Sequence, residues 1–336
     1  MPQTTPSILD DIVLPLEGRR EGKVRISYAL DGDRRIFITT DRLSAFDRVL
    51  ACVPGKGQVL NRLAWWWFEQ LRDVVPNHAL AIPHPNVLVS RNADPLPVEV
   101  IVRGAITGVT TTSLWQRYVA GQRIIDGHEF RDGLRKNELL PSVVITPTTK
   151  AEAGGHDEAL SVAEVVERGL VEPALWDRVC STALELFERG SKVAEQAGLV
   201  LADTKYEFGL DSDGGLLLID EVHTPDSSRY WEGSTYEARF ARGDEPESMD
   251  KEIVRRAYAE LGYRGDGEAP TLPPEVWAAV AQGYEKAFAR LTGQHVHQAP
   301  RNIADDIERA LMNGGLLSMA GPAPVDDHRS FSRGQD

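Results

Sequence analysis

The chain has 336 residues, 51 of them acidic and 37 basic, for a formal net charge of −14. That surplus repels a polyanion, which sets nucleic acid aside as a partner, and no apolar run approaches the roughly 20 residues that a membrane span requires. With Cys52 and Cys180 the only cysteines there is no disulfide framework, and residues 1–11 lack the basic patch and apolar core of a secretory signal, so a soluble cytoplasmic protein with reduced thiols is expected.

A chain of this length is expected to fold as two or three packed subdomains. The first hundred residues read as short strands over 23–30, 35–40 and 86–90, interrupted by a helix over 58–71. Trp65, Trp66, Trp67 and Phe68 lie on that helix, where aromatic residues are read as packing rather than as a cofactor box. Before it, Pro54-Gly55-Lys56-Gly57 serves equally as a glycine turn or as an anion site made of backbone amides and Lys56. Residues 98–102, after a loop at 92–97, alternate poorly and read as a strand buried on both faces. That strand leads into Arg103 and a hydroxyl-rich loop through Thr110, Thr111 and Thr112 to Ser113; Arg103 and Ser113 are the preferred ligands there for sugar or phosphate oxygens.

Residues 146–158 are dense in polar groups and read as a loop forming a flap or wall, with His156 more simply a hydrogen-bonded structural residue than a base or metal ligand. Leu175, Val179, Leu186, Phe187 and Val193 share one face of a helix over 172–197, which Gly198 stops. Two strand-like runs, 199–210 and 216–222, then flank the turn signal Asp211-Ser212-Asp213-Gly214-Gly215 and read as a hairpin. Helices follow over 274–291 and 302–312, before a tail rich in Pro, Gly and Ser. The divisions expected are an N-terminal lobe over 1–97, a catalytic lobe over 98–265, a helical extension over 266–319 and a disordered tail over 320–336.

The chemistry concentrates in the hairpin. A period of two places Asp203, Lys205 and Glu207 on one strand face and Thr204, Tyr206 and Phe208 on the other. The returning strand ends in Asp220-Glu221, which the turn brings level with Glu207 to within about one residue. Carboxylates that converge without histidine or cysteine suit Mg²⁺, which usually shares its oxygen ligands with nucleotide phosphates; the plainer reading is a surface hairpin with scattered charge. A polar loop from His223 follows, in which Arg229 is able to grip a phosphate or carboxylate through two parallel bonds. Far upstream, Gly22 and Lys23 open a strand in an arrangement that covers phosphates. These residues describe an enzyme that uses Mg-ATP to activate a small anion. A kinase-like phosphotransferase and a nucleotide-binding regulatory module are the alternatives, the first without an HRD or DFG signature.

An ordered set of segments carries a resemblance to the SAICAR synthetase family: Gly22-Lys23-Val24-Arg25, the run from Asp41 through Ser44 to Asp47, Pro54-Gly55-Lys56-Gly57, Pro97-Val98-Glu99 with Val102-Arg103-Gly104, Lys150-Ala151-Glu152, Gly155-His156-Asp157-Glu158, the run from Asp203 to Gly209, and Asp220-Glu221. The resemblance spans residues 22–231. It implies an α+β fold of two lobes, an N-terminal β-rich ATP-binding lobe and a larger α+β lobe with C-terminal helices. It also implies ligation of carboxyaminoimidazole ribonucleotide (CAIR) to L-aspartate with ATP and Mg²⁺, through an acyl phosphate. By the same resemblance Gly22, Lys23, Lys56 and Glu99 hold ATP, Glu207 and Asp220 hold Mg²⁺, and the connection over 88–99 meets the adenine. Arg103, Ser113, Asp203, Lys205, Asp226 and Arg229 form the ribonucleotide and reaction-centre set, with Asp203, Lys205 and Arg229 in the catalytic roles; Asp41, Ser44 and Gly57 fall near the cleft. Residues 109–112 read as an insertion against the family pattern, so that one of the three threonines is an alternative to Ser113. Beyond Trp231 the helices read as an extension without a catalytic role, and nothing in the sequence sets the oligomeric state.

Overall fold

The computed structural model of the chain describes residues 7–150, 157–265, 267–296 and 302–317. Strands β1 (Arg20–Glu21), β2 (Arg25–Leu30) and β3 (Arg34–Thr39) begin an antiparallel sheet. A small hairpin, β4 (Arg42–Ala45) with β5 (Arg48–Cys52), and helix α1 (Lys56–Leu71) then interrupt it. Strands β6 (Ala79–His84) and β7 (Val87–Arg91) complete the sheet in the order β1-β2-β3-β7-β6.

Helix α1 begins where it does because of the glycines at its entrance, Gly55 before it and Gly57 in its first turn. Gly55 turns the chain at φ 77°, and the Gly57 amide donates to the buried Asp41 carboxylate at 2.8 Å. A Cβ at Gly57 would stand 2.3 Å from the Thr39 carbonyl oxygen and 2.6 Å from Asn86 Nδ2, so only glycine allows this approach. Gly57→Ala is therefore expected to destabilise the protein by roughly 1–3 kcal/mol, the scale of an overpacked core, read as a lowered denaturant midpoint. Farther along α1, Leu63, Trp67 and Phe68 are fully buried and Trp65 and Trp66 pack half-buried beside them, so the aromatic cluster is core.

The second sheet runs β11-β8-β12-β13, built from β8 (Asp94–Ile106), β11 (Glu138–Thr149), β12 (Leu199–Leu210) and β13 (Leu216–Ile219), with β14 (Ser228–Glu232) also paired to β12. Helix α2 (Leu114–Val119) and the two-residue pair β9 (Ile124–Ile125) and β10 (His128–Glu129) lie in the excursion between β8 and β11. Helices α3 (Val162–Glu167) and α4 (Pro173–Gln196) link β11 to β12, and α4 lays Trp176, Val179, Ala183 and Leu186 into the same core as Val98, Val100 and Val102. Mixed helix and sheet of this kind is the α+β architecture expected. Among the described residues no helix is long and apolar enough to cross a membrane.

Three expectations fail here. The segment 92–97 is not a loop throughout, because β8 already begins at Asp94, and β8 is not buried on both faces: Val98, Val100 and Val102 are buried while Glu99, Ile101 and Arg103 are partly open. The apolar Ile101 on the open face disguised the alternation. Residues Thr146 to Thr149 do not form a flap either; they are strand, with Thr146 opposite Ile101 and Thr149 opposite Val98, as β-branched threonines favour. Residues 151–156 of that expected loop, with Glu152 and His156, lie outside the described residues.

After β14 come α5 (Gly233–Arg242), α6 (Glu252–Glu260), α7 (Pro274–Thr292) and α8 (Ile303–Asn313). Val280, Tyr284, Ala287 and Phe288 of α7 join the large core that α1 also enters. Ile303, Ile307 and Leu311 recur every four residues along α8 and pack with Ile26, Ile36 and Val89 of the N-terminal sheet, and with Leu9 and Ile12. Helix α7 thus packs on α1 and α6, and α8 braces the N-terminal sheet.

Candidate active site

Strand β12 organises the site because its charged face meets a different partner at each step. Asp203 lies opposite Arg103 of β8 on one side and Arg229 of β14 on the other. Lys205 lies opposite Ile101, and Glu207 lies between Glu99 of β8 and Ile219 of β13. Asp220 follows Ile219 directly, one residue from level with Glu207, the register expected of the hairpin. Tyr206 and Phe208, on the reverse face, are fully buried, which holds the charged face outward.

At the Asp203 end the strand borders a cavity of about 300 Å³ lined by Arg103, Ser113, Asp203, Lys205, Asp226 and Arg229 among others. The structure thus brings together the six residues expected at the ribonucleotide. Asp203 accepts from Arg229 Nη1 at 2.5 Å and from Arg103 Nη1 at 3.3 Å, and Arg103 Nε reaches Thr146 Oγ1 at 2.8 Å. Burial opposes the charge on Arg229, but Asp203 and Glu252 outweigh it and raise its pKa, so it stays cationic. Ser113 caps α2 and donates to the Thr110 carbonyl at 2.7 Å. Thr110 and Thr112, but not Thr111, line the same cavity with Ser113.

Sequence reasoning missed the far wall of this cavity, which Asp250, Lys251 and Arg255 supply at the start of α6. Lys251 Nζ sits 3.2 Å from Asp226, and Glu252 is 3.1 Å from Arg229. The signal available was a run of ionisable residues, Asp250, Lys251, Glu252 and Arg255, entering a helix whose other face carries buried Val254 and Tyr258. Lys56 also belongs here: its ammonium is wholly buried and 2.9 Å from Asp226, beside this cavity rather than among the residues lining the second one. Asp41 accepts the amides of Leu9 and Gly57, a packing role.

At the Glu207 end lies a second cavity, of about 500 Å³, lined by Glu207, Asp220, His78, Phe37 and Asn92 among others. A smaller recess lined by Gly22, Lys23 and Arg25 adjoins it, sharing Arg20, Ser27, Phe37 and Asp220. Glu207 is 2.5 Å from Lys205 and 2.6 Å from Lys150. Burial alone would raise its pKa, but these two ammoniums hold the carboxyl well below the usual range. Glu99 is 2.7 Å from the same Lys205 and is not among the residues lining the second cavity or its adjoining recess; burial raises its pKa against the pull of that lysine. Lys205 is therefore clasped between two carboxylates on the strand that separates the cavities. Lys23 stands half-exposed in the β1–β2 turn, 2.5 Å from Asp47.

Arg25 was quoted in the sequence only as part of a motif, yet it holds Asp220 at 2.8 Å and Glu221 at 3.4 Å. Burial, and then the charge of Arg25, push His78 down to about 3, so the imidazole below the cavity is neutral. Arg20, Arg35 and Arg91 also line this space; they come from three strands, and no local pattern announced them. Among the described residues there is no group of three or more His, Cys, Asp and Glu side chains placed to hold a metal. Glu207 and Asp220 are two hard oxygen donors on one wall, the number Mg²⁺ takes when nucleotide phosphates and water complete its shell.

A family model described as SAICAR synthetase matches residues 19–271. A phosphoribosylaminoimidazole-succinocarboxamide synthase of Legionella pneumophila is 47% identical over 291 residues, covering 86% of this chain and 92% of that protein. Its chloroplastic counterpart in Arabidopsis thaliana is 46% identical over 297 residues, covering 88% and 72%. The solved structure of SAICAR synthase from Saccharomyces cerevisiae complexed with SAICAR matches with a TM-score of 0.73 at 30% identity, covering 86% of this chain and 99% of that one. The matched segment runs past Trp231 and through α6, which corrects the expectation that the resemblance stops at residue 231.

Proposed function

The chain belongs to the SAICAR synthetase family, whose members use ATP to join CAIR to L-aspartate in purine biosynthesis, and on that premise we propose how its two cavities divide the reaction. The nucleotide occupies the larger cavity, its phosphates towards Gly22, Lys23 and the carboxylates of Glu207 and Asp220. CAIR occupies the smaller one, with its anionic groups among Arg103, Arg229, Lys251 and the hydroxyls around Ser113. The observation that carries this reading is the position of Lys205, between Glu99 and Glu207 on the strand that both cavities share.

A carboxylate does not condense directly with an amine, because oxide is a poor leaving group. In the reaction we propose, an oxygen of the CAIR carboxylate attacks the γ-phosphorus, ADP departs, and an acyl phosphate forms. The aspartate amine then attacks the acyl carbon, loses a proton, and phosphate departs with the former carboxylate oxygen. Lys205 neutralises charge as it passes from one cavity to the other, and Asp203 holds the guanidiniums of Arg103 and Arg229 in place around the ribonucleotide. Glu207 and Asp220 are the residues that would hold Mg²⁺, which when bound offsets the charge of the nucleotide phosphates. Lys150 and Arg25, now paired with those carboxylates, would turn towards the phosphates. Cys52 and Cys180 are free thiols, which suits the reducing cytoplasm where we place the reaction.

Label transfer tests the reading. With ¹⁸O in the CAIR carboxylate, the phosphate released is expected to carry one labelled oxygen; unlabelled phosphate would contradict an acyl phosphate at this site.

A further inference from the structure

Asp226, on the wall of the smaller cavity, is reached from three separate helical segments. Lys56 Nζ of α1 lies 2.9 Å from its Oδ2, and Lys251 Nζ, at the start of α6, lies 3.2 Å from the same oxygen. The other oxygen, Oδ1, accepts a hydrogen bond of 2.6 Å from the Tyr284 hydroxyl of α7. The two ammoniums on this one carboxylate supply positive charge, which Glu221 offsets in part from farther off. Lys251 carries it to the ligand, since its side chain is 10% open and lines the cavity whereas that of Lys56 is sealed at 0%.

Both lysines hold the same carboxylate oxygen, so the orientation of the carboxylate about its Cβ–Cγ bond sets where both ammoniums stand. Among the described residues, only the Oδ1 contact opposes that rotation from the other side. We propose that Tyr284 is a positioning residue for the anionic ribonucleotide: anchored on Oδ1, it fixes Asp226 and thereby the place of the Lys251 ammonium in the cavity. Tyr284 lies on a helix beyond the segment 19–271 that the family model matches, so this contact is made by the C-terminal part of the chain to which the sequence assigned no catalytic role. The inference rests on the reading of this cavity as the CAIR site.

Tyr284→Phe removes the hydroxyl and keeps the ring in the core. The expected result is a KM for CAIR raised by roughly tenfold or more, the scale of a hydrogen bond to a charged group, with the KM for ATP within about twofold of the parent. Lys251→Met should raise the CAIR KM as well, and the double variant should be no worse than the more affected single one, because both act on one ammonium. Val280→Ala, at a fully buried position of the same helix, is the packing control: it should lower the Tm and leave both KM values unchanged. An unchanged CAIR KM in Tyr284→Phe would overturn the inference. So would CAIR and ATP KM values rising together, or effects of Tyr284→Phe and Lys251→Met that multiply in full. Turnover by the unsubstituted enzyme that does not depend on CAIR would instead overturn the cavity assignment beneath it.

Discussion

Glu207→Gln and Asp220→Asn are each expected to lower kcat for Mg-ATP-dependent ADP release by roughly 10³-fold or more, at or beyond the upper end of what loss of one charge-stabilising group costs, while the folded protein persists. Neither change alters side-chain shape, and neither leaves a cation stranded. Lys205 keeps Glu99 at 2.7 Å when Glu207 is neutral, and Lys150 is partly open to water. Arg25 keeps Glu221 at 3.4 Å when Asp220 is neutral. Stability and activity should therefore separate: parent-like far-ultraviolet circular dichroism and a cooperative thermal transition at a lowered midpoint, because a paired, partly buried charge is removed, beside lost turnover that added Mg²⁺ does not restore. Near-parent activity in either variant would remove that residue from the metal site.

Arg229→Lys should damage both stability and binding. The guanidinium spans two buried carboxylates, Asp203 at 2.5 Å and Glu252 at 3.1 Å, and a single ammonium cannot reproduce that planar span. Breaking one half of such a buried pair typically costs about 3–5 kcal/mol. Asp203 retains Arg103 at 3.3 Å and Glu252 retains Arg255 at 3.4 Å, which places the expected loss near the lower end, about 3 kcal/mol, measured from the denaturant midpoint. Because Arg229 also lines the cavity, the KM for CAIR should rise with the KM for ATP little changed. Equal stability and an unchanged CAIR KM would show that Arg229 neither organises nor binds.

The parts of the site legible in the sequence were those set by local geometry. Strand period put Asp203, Lys205 and Glu207 on one face, and the Asp211–Gly215 turn fixed the register that brings Asp220 beside Glu207, as the pairing of Glu207 with Ile219 bears out. The helices α1, α4, α7 and α8 were visible for the same reason, as apolar residues recurring at helical spacing between start and stop signals. What escaped was set by contacts between distant segments. Arg25 meets Asp220 across 195 positions and Lys56 meets Asp226 across 170, and no pattern in either neighbourhood selects the partner. Asp250, Lys251 and Arg255 were passed over because a charged helix start reads as a solvated face until the fold turns it inward. Thr146 to Thr149 misled in the other direction, their hydroxyls suggesting a loop although their branched Cβ atoms suit the strand they form.

The most direct measurement is ADP release by the purified protein with Mg-ATP, omitting CAIR and L-aspartate in turn and weighing the product by mass spectrometry. Two cavities joined at Lys205 require that sustained release depend on both substrates and that the succinocarboxamide be formed. Sustained release with neither, or a product built on a different acceptor, would contradict the account.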